Sequence, residues 1–416
     1  MLTSSTTYVK LLSKFIRGNY IMSKKIKIEV YSKDWCPYCK KAKAFLKSKG
    51  LSYQEIDINE GDNYEDMQER TGNKTVPQII INDQSLGGYD DIIELEKRAE
   101  FNQLIGRETK DLSTKEWELV ILGAGPAALN AALYAARKGI EVLLLTKDIG
   151  GQVITTNEID NYLGKAETTG AELIYDFWDH ISKYDVETVI GEEVVEIGDR
   201  EDKKVIKTDN DKKYLTESVI IATGAQKRHL GMKQEYVLTG KGVHYCASCD
   251  AFLYKGQPVA VVGGGNSGLE AAIDLANIGC EVDLIELQDK LMGDEFLQDR
   301  VKDKGSITVH TSTTVDQIIG ENKLESIVIK NVEDESTAEL DVNGLFIEIG
   351  LVANSDFVGD LVERNKAKEI IINEKNETAV EGIWAAGDVS NIIDKQIITS
   401  AAEGAKAALR VNQYLG

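Results

Sequence analysis

Cysteine is scarce in this sequence: five residues in 416, four of which fall into two Cys-x-x-Cys pairs, Cys36/Cys39 and Cys246/Cys249. So sparse a set excludes the disulfide framework of a small secreted domain and points to an intracellular, cytoplasmic setting. Apolar runs are short as well. None approaches the roughly 18 residues that a membrane span requires, so no membrane-spanning segment is expected. Lys/Arg-rich patches are missing and the formal net charge is −21, so electrostatic repulsion argues against nucleic acids and anionic membranes as partners. Small molecules and other proteins are the expected partners. The length accommodates roughly two to four domains, each able to bury its own core.

The first 21 residues lack any acid, carry three basic residues and are rich in Ser/Thr, a composition shared with organelle transit peptides. Met22, however, opens "MSKKIKIEVYSKDWC", a natural beginning for a strand. Residues 1–22 are therefore read as a leader or a mis-assigned start and set aside from the fold.

The remainder is written in two styles. "KIKIEVYS" is an alternating run rich in Ile and Val, and "KKAKAFLKSKG" is a helical pattern ended by Gly50. A second strand ("SYQEIDI"), a helix ("YEDMQERTG"), a strand pair around "PQIIINDQSLGG" and a helix from Asp90 complete a small α/β unit of thioredoxin type. A polar linker, "GRETKDLSTKE", follows. From Glu116 the chain reads "WELVILGAGPAALNAALYAARKGIEVLLLT": apolar strand, Gly turn, Ala-rich helix, apolar strand. The same plan returns at 257–286 as "QPVAVVGGGNSGLEAAIDLANIGCEVDLIE". This is an internal repeat of two dinucleotide-binding βαβ units.

In the second unit Gly263, Gly265 and Gly268 fit G-x-G-x-x-G between a strand and a helix, with Asn266 and Ser267 inside the motif. Such glycines let a pyrophosphate approach the backbone at the positive helix N-terminus. Glu286 closes the next strand, where a carboxylate would accept hydrogen bonds from an adenosine ribose and repel a 2′-phosphate, favouring NADH over NADPH. In the first unit Gly123, Gly125 and Ala128 fit G-x-G-x-x-A. Its second strand ends in Thr146 and Lys147 instead of an acid, so that position does not identify the dinucleotide.

A close dithiol such as Cys246/Cys249 can shuttle two electrons, and Asp250, next in the chain, can deliver the proton a departing thiolate needs. Zinc would require a second ligand pair, so no metal is expected. His244 is left as a local polar residue of unknown role, and Cys280 as a small core residue. Cys36 heads the helix that begins near Pro37, where the macrodipole with Lys33, Lys40 and Lys41 favours a thiolate; it is the expected attacking sulfur. Cys39, one turn on, would resolve a mixed disulfide. "TVP" at 75–77 fits a cis proline, which would present the Val76 backbone to a cysteine-containing peptide. "GGYDD" at 87–91 places two carboxylates at a helix start.

From 116 to the end the chain resembles the low-molecular-weight thioredoxin reductase family, on "GAGPAALNAALYAAR", "GGQV", "ATGA", "CASCD", "GGGNSG" and "AAGDVSNIIDKQIITSAAEGAKAAL", in that order. The resemblance implies FAD in the first Rossmann half, with Gly151, Gln152, Asn161, Thr223, Gly224, Gly387, Asp388, Gln396 and Ile397 among the flavin positions. It also implies a homodimer and a nucleotide domain inserted between two FAD-domain segments. The His-Arg-Arg run of the family's NADPH enzymes is replaced by "IELQDKLMG". In this the chain is similar to the NADH-using flavoprotein subunit of alkyl hydroperoxide reductase. Leu163 departs from the proline frequent at that place.

The amino-terminal module resembles dithiol glutaredoxins on "CPYC", "TVP" and "GGYDD". That resemblance implies glutathione contacts at Lys33, Tyr38, Val76, Pro77, Asp90 and Asp91. The expected architecture is thus an α/β chain with a thioredoxin-like glutaredoxin domain (23–105), a linker (106–115), an FAD-binding domain in two segments (116–231 and 343–416) and an NAD(P)-binding redox-disulfide domain (232–342). The expected activity carries electrons from NADH through FAD and Cys246/Cys249 to Cys36/Cys39, and on to glutathione, glutathionylated proteins or a protein disulfide such as that of a peroxiredoxin. Two alternatives stand beside it: a reductase of separate thioredoxin, and an iron–sulfur or redox-sensing module.

Overall fold

The computed structural model describes residues 26–416, apart from 34–35, 109, 157–158 and 201–202 and the side chains of Ser248 and Cys249. The leader or mis-assigned start read in residues 1–22 lies outside the described residues. The chain forms two compact units, one ending at Leu112 and the other spanning Ser113–Gly416.

In the first unit β1 (Ile28–Ser32) leads into α1 (Pro37–Ser48), followed by β2 (Gln54–Asp57), α2 (Asn63–Thr71), β3 (Gln78–Ile81), β4 (Gln84–Gly87), α3 (Tyr89–Lys97) and α4 (Glu100–Leu104). The sheet order is β2-β1-β3-β4, with β1 parallel to β2 and antiparallel to β3. Asn82 and Asp83 take positive φ between β3 and β4; their short polar side chains tolerate this hairpin turn. Strand β1 alternates in sequence yet is buried along its whole length. It is an interior strand, so its one charge must be paired. Glu29 accordingly meets Arg70 at 2.7 Å, and that hydrogen bond holds its carboxyl below the usual range.

The second unit begins with β5 (Glu116–Leu122), α5 (Pro126–Arg137), β6 (Val142–Thr146), α6 (Gly170–Ile181) and β7 (Val186–Ile190), then the antiparallel run β8 (Val194–Arg200), β9 (Lys203–Thr208) and β10 (Lys213–Ile221). After β11 (Ala225–Lys227) come α7 (Lys233–Val237), β12 (Val243–His244), α8 (Ala247–Asp250), β13 (Pro258–Val262), α9 (Asn266–Asn277), β14 (Glu281–Ile285), α10 (Glu295–Lys302) and β15 (Ile307–His310). The chain continues through β16 (Thr313–Ile319), β17 (Ser326–Asn331), β18 (Thr337–Asp341), β19 (Gly344–Ile347), β20 (Leu351–Ala353) and β21 (Ile383–Ala385) to the last helix, α11 (Ile397–Tyr414). The first sheet runs β7-β6-β5-β10-β9-β8, with β21 also pairing β10. The second, β12-β19-β13-β14-β15, is parallel throughout.

Strand β19 pairs with β12 and β13, so the boundary expected at 342/343 falls one strand too early. Gly344–Ile347 is buried in the second sheet, and the chain returns to the first only afterwards. Outgoing β11 and returning β20 pair antiparallel. Asn354 fastens this double crossing: its backbone N–H donates to the Gly224 carbonyl at 2.9 Å and its amide to the Thr223 carbonyl at 2.9 Å. No described helix is long and apolar enough to cross a membrane.

Helix α11 packs on α5 at a glycine. A Cβ built on Gly404 would collide with the Ala127 carbonyl, a backbone atom that cannot swing aside. Gly404→Ala is therefore expected to lower stability by about 1–3 kcal/mol through overpacking, read as a lower denaturation midpoint; an unchanged midpoint would refute this close contact.

Candidate active site

Local backbone chemistry builds the amino-terminal dithiol. Cys36 is the N-cap of α1, with Pro37 at its first position, and the Cys39 N–H donates to the Cys36 sulfur at 3.2 Å. Both are free thiols and both are buried. A hydrogen bond from the Cys39 thiol is the main cause that brings the Cys36 thiol down to about 7, against the opposing effect of burial; the Cys39 and Tyr38 backbone and Lys33 add to the lowering. The same contact, with burial, pushes Cys39 strongly up. Lys41 instead lies over the Tyr89 ring. The Val76–Pro77 peptide bond is cis, and the Cys36 thiol faces the Val76 carbonyl at 3.7 Å. A Cβ on Gly88 would lie 3.5 Å from the Pro77 carbonyl, so the GGYDD turn adjoins this site. Asp91 is committed to capping α3, accepting from the Gly88 N–H at 2.7 Å. Asp90 is exposed, and so is Tyr38, at 53%.

The two Gly turns share one construction. Gly123 and Gly263 both have positive φ, and a Cβ on either would collide with the carbonyl at the end of the neighbouring strand, Ala222 or Glu348. Gly125 and Gly265 would place a Cβ in open space in front of α5 and α9. That is the cradle a pyrophosphate needs. Gly268 lies so close to the Gly263 carbonyl that no side chain fits, whereas Ala128 fills the matching place in the first turn and is fully buried.

Around the first turn the structure gathers most of the expected flavin positions. Gly151 approaches Gly125, with a built Cβ 3.7 Å from its Cα. Gly387 lies against Ala127, and Asp388 accepts from the Ser400 hydroxyl at 3.0 Å. Burial pushes the Asp388 carboxyl up. A cavity of about 350 Å³ is lined by Asn161, Gln396, Ile397 and Ile398, and the Asn161 amide reaches Gln396 Oε1 at 3.4 Å. Thr223 and Gly224 are engaged with Asn354, the Thr223 hydroxyl donating to its carbonyl at 2.7 Å. Gln152 heads a short 3-10 turn. The open cradle, the cavity and the half-buried acid fit a dinucleotide flavin.

At the second turn Glu286 is buried. Its oxygens accept from the Gly264 N–H at 2.5 Å and the Gln288 N–H at 2.7 Å. Asn266 exchanges two hydrogen bonds with Asp294, at 3.0 and 2.8 Å, which fastens the following loop over the turn. Ser267 is exposed.

Cys246, the N-cap of α8, is held in a disulfide; Cys249 lies in α8, its side chain outside the described residues. Asp250 ends α8 and bonds to His244 Nδ1 at 2.9 Å. Two groups overlooked in the sequence complete the surroundings. The Ala247 N–H donates to Glu348 Oε1 at 3.0 Å, and burial pushes the Glu348 carboxyl up to about 7. Lys227, on β11, lies over the Tyr245 ring at 5.2 Å. Burial lowers its pKa, while the charges of Asp250, Glu348 and Asp388 oppose that. The one sequence signal for Glu348 was an acid closing an otherwise apolar strand; Lys227 offered none.

A family model described as pyridine nucleotide-disulphide oxidoreductase matches residues 117–408. The chain belongs to that family. A glutaredoxin model matches residues 28–86. An alkyl hydroperoxide reductase subunit of Staphylococcus aureus is 37% identical over 348 residues, covering 82% of this chain and 67% of that protein. A protein named NADH dehydrogenase from Ferdinandcohnia aciditolerans is 35% identical over 367 residues, covering 88% and 69%. Among solved structures, the thioredoxin reductase of Streptococcus pyogenes is 34% identical with a TM-score of 0.67, covering 72% of this chain and 98% of that one. This pyridine nucleotide-disulphide oxidoreductase is an enzyme of the flavoprotein disulfide reductase type with a fused glutaredoxin domain, and it uses flavin and NAD(P)H.

The Cys36 thiol gives the oxidoreductase a test independent of its cofactors. Because its pKa is lowered, the thiolate predominates above about pH 7 and is lost below it. Alkylation of Cys36 in the reduced enzyme should rise only about twofold between pH 7 and 9. A rise of about twenty-five-fold, as for an ordinary thiol, would show that the Cys39 contact does not act as described.

Proposed function

We propose that this enzyme is an NADH-driven disulfide reductase in which Cys246/Cys249 refills the Cys36/Cys39 pair, which in turn reduces glutathione mixed disulfides or protein disulfides. The Cys36 site carries this reading: an N-cap thiol beside the cis Val76–Pro77 bond, brought down to about 7 by its Cys39 neighbour, is joined in one chain to a reductase half with its own Cys246/Cys249 pair.

When bound, FAD and NADH supply a two-electron junction between a hydride donor and a disulfide. Residues around Gly125 and Asp388 would hold the flavin, and those around Gly265 and Glu286 the nucleotide. The NADH preference rests on Glu286, whose carboxylate is locked at the strand end by two backbone donors and would repel a 2′-phosphate. The loop after it offers Lys290 against Asp289 and Asp294, no cradle for a phosphate. Asp250 protonates the sulfur that departs when the Cys246 disulfide opens. The Cys36 thiolate attacks the incoming disulfide and Cys39 resolves the adduct. Lys33, Tyr38, Val76, Pro77, Asp90 and Asp91 would receive the glutathione moiety. With the acceptor tethered, its effective concentration would be about millimolar.

The proposal further comprises a linker at 106–115, a nucleotide domain from 232 to the end of β19, a homodimer and a cytoplasmic setting. A second reading keeps the same chemistry but ends on a peroxiredoxin or thioredoxin. The likeness to the staphylococcal alkyl hydroperoxide reductase favours it.

Stopped-flow reduction of the holoenzyme with NADH or NADPH, followed by an acceptor panel, tests both. Cys36→Ser should lower turnover of glutathione mixed disulfides more than about a hundredfold and leave reduction of the flavin by NADH intact. Loss of both together would contradict the relay, and full turnover by the variant would contradict the role of Cys36.

A further inference from the structure

His244 has no part in the chemistry described so far. It ends β12, is only 6% exposed and stacks on Phe346, with ring centroids 5.3 Å apart and planes 26° apart. Burying an imidazole is costly unless both nitrogens are bonded, and here both are. Nδ1 lies 2.9 Å from Asp250 Oδ2, and Nε2 lies 2.7 Å from the Tyr254 hydroxyl. Tyr254 is itself placed with care: its ring meets both His244 and Phe346 edge-on. A Cβ on Gly344 would come within 2.9 Å of that ring, and the Cys280 thiol donates to the Tyr254 carbonyl at 3.0 Å. The ring nitrogens thus join the acid beside the redox pair to a hydroxyl on a half-buried residue nearer the surface.

We infer that Tyr254, His244 and Asp250 form a proton relay that supplies the Cys246/Cys249 pair from solvent, with His244 as its central carrier. This rests on the reading of that pair as the redox centre and of Asp250 as its acid.

The proton balance calls for one proton from solvent. Reduction of one disulfide breaks one S–S bond and forms two S–H bonds, consuming two electrons and two protons. A hydride from the reduced nucleotide brings both electrons and one proton. The other comes from solvent. In the resting arrangement Nδ1–H donates to the Asp250 carboxylate and the Tyr254 hydroxyl donates to Nε2. If the tyrosine proton moves to Nε2, the Nδ1 proton moves to Asp250 and Tyr254 takes a proton from water, no heavy atom is displaced. Asp250 is then the carboxylic acid that protonates the departing sulfur. Resetting the ring returns the Nε2 proton to solvent through Tyr254 and brings one solvent proton to Nδ1 past the Asp250 carboxylate, which is 24% exposed, so the ring takes up no net proton.

Three other charged groups share these surroundings: Lys227 on β11, Glu348 at the end of β19, and Asp388 of the first sheet's domain. Glu348 is the competing acid, since it already bonds the Ala247 N–H. Tyr254 keeps its proton at rest, its pKa being pushed up to about 12 by burial and by the Asp250 charge.

The test is single-turnover reduction of the holoenzyme disulfide across pH, in H2O and D2O, with proton uptake followed by an indicator dye. Tyr254→Phe removes one hydroxyl and keeps the ring packing; His244→Gln keeps polar contacts but cannot shuttle a proton. Both are expected to slow the disulfide-reduction phase at least about tenfold at neutral pH, to shrink its solvent isotope effect and to regain rate as the pH falls. Should His244→Gln fail to fold, Tyr254→Phe alone decides. Wild-type rates and isotope effects in the variants would overturn the relay while leaving the redox reading intact, and so would loss of the pH dependence in Glu348→Gln alone. A wild-type disulfide that NADH never reduces would overturn both.

Discussion

Two contacts of backbone upon backbone hold the reductase half in order: Gly123 against the Ala222 carbonyl and Gly263 against the Glu348 carbonyl. In each, the first glycine of a dinucleotide turn stands where no Cβ fits, so the turn registers against the end of the next strand. Everything around the redox pair follows from the second contact. It seats Glu348 at the mouth of the sheet, where its carboxylate takes the Ala247 N–H. Two residues earlier, on the same face of the strand, Phe346 stacks on His244. One strand end therefore positions both the acid and the imidazole beside Cys246.

The Cys36 surroundings bear on the direction of electron flow. There the Cys39 hydrogen bond, backbone donors and Lys33 favour a thiolate. A dithiol whose reduced form is stabilised as thiolate is the stronger electron acceptor, which fits the glutaredoxin pair as the receiving end of the path proposed above. In the flavoprotein half the Ala247 N–H, next to Cys246, is held by Glu348, and Asp250, Glu348 and Asp388 act together on the desolvated Lys227.

How much of this was legible depended on how local the cause was. The Gly turns, the Cys36 cap and the cis Val76–Pro77 bond are set by a few adjacent residues, and glycine and proline signal them through their own backbone limits. The repeat of two βαβ units was legible for the same reason. Glu286 was found by its place after a strand, but not its commitment to the Gly264 and Gln288 donors, which needs the turn and loop in three dimensions. Lys227 and Tyr254 reach the site through contacts no motif records. The boundary at 342/343 failed because β19 belongs to the second sheet through pairing with β12, some hundred residues earlier. An alternating strand ordinarily keeps one face in solvent; the interior place of β1 in the sheet, with Arg70 neutralising Glu29, buries both.

The central claim is that electrons entering the flavoprotein half reach the amino-terminal sulfurs of the same chain. Its most direct test is to oxidise the holoenzyme fully, add NADH without oxygen, quench with an alkylating agent and identify the labelled cysteines by mass spectrometry, alongside a Cys246→Ser enzyme. Labelling of Cys36 and Cys39 in the wild type and its absence in the variant is the expected result. A wild-type enzyme whose Cys36 and Cys39 stay oxidised while Cys246 and Cys249 become labelled would contradict it.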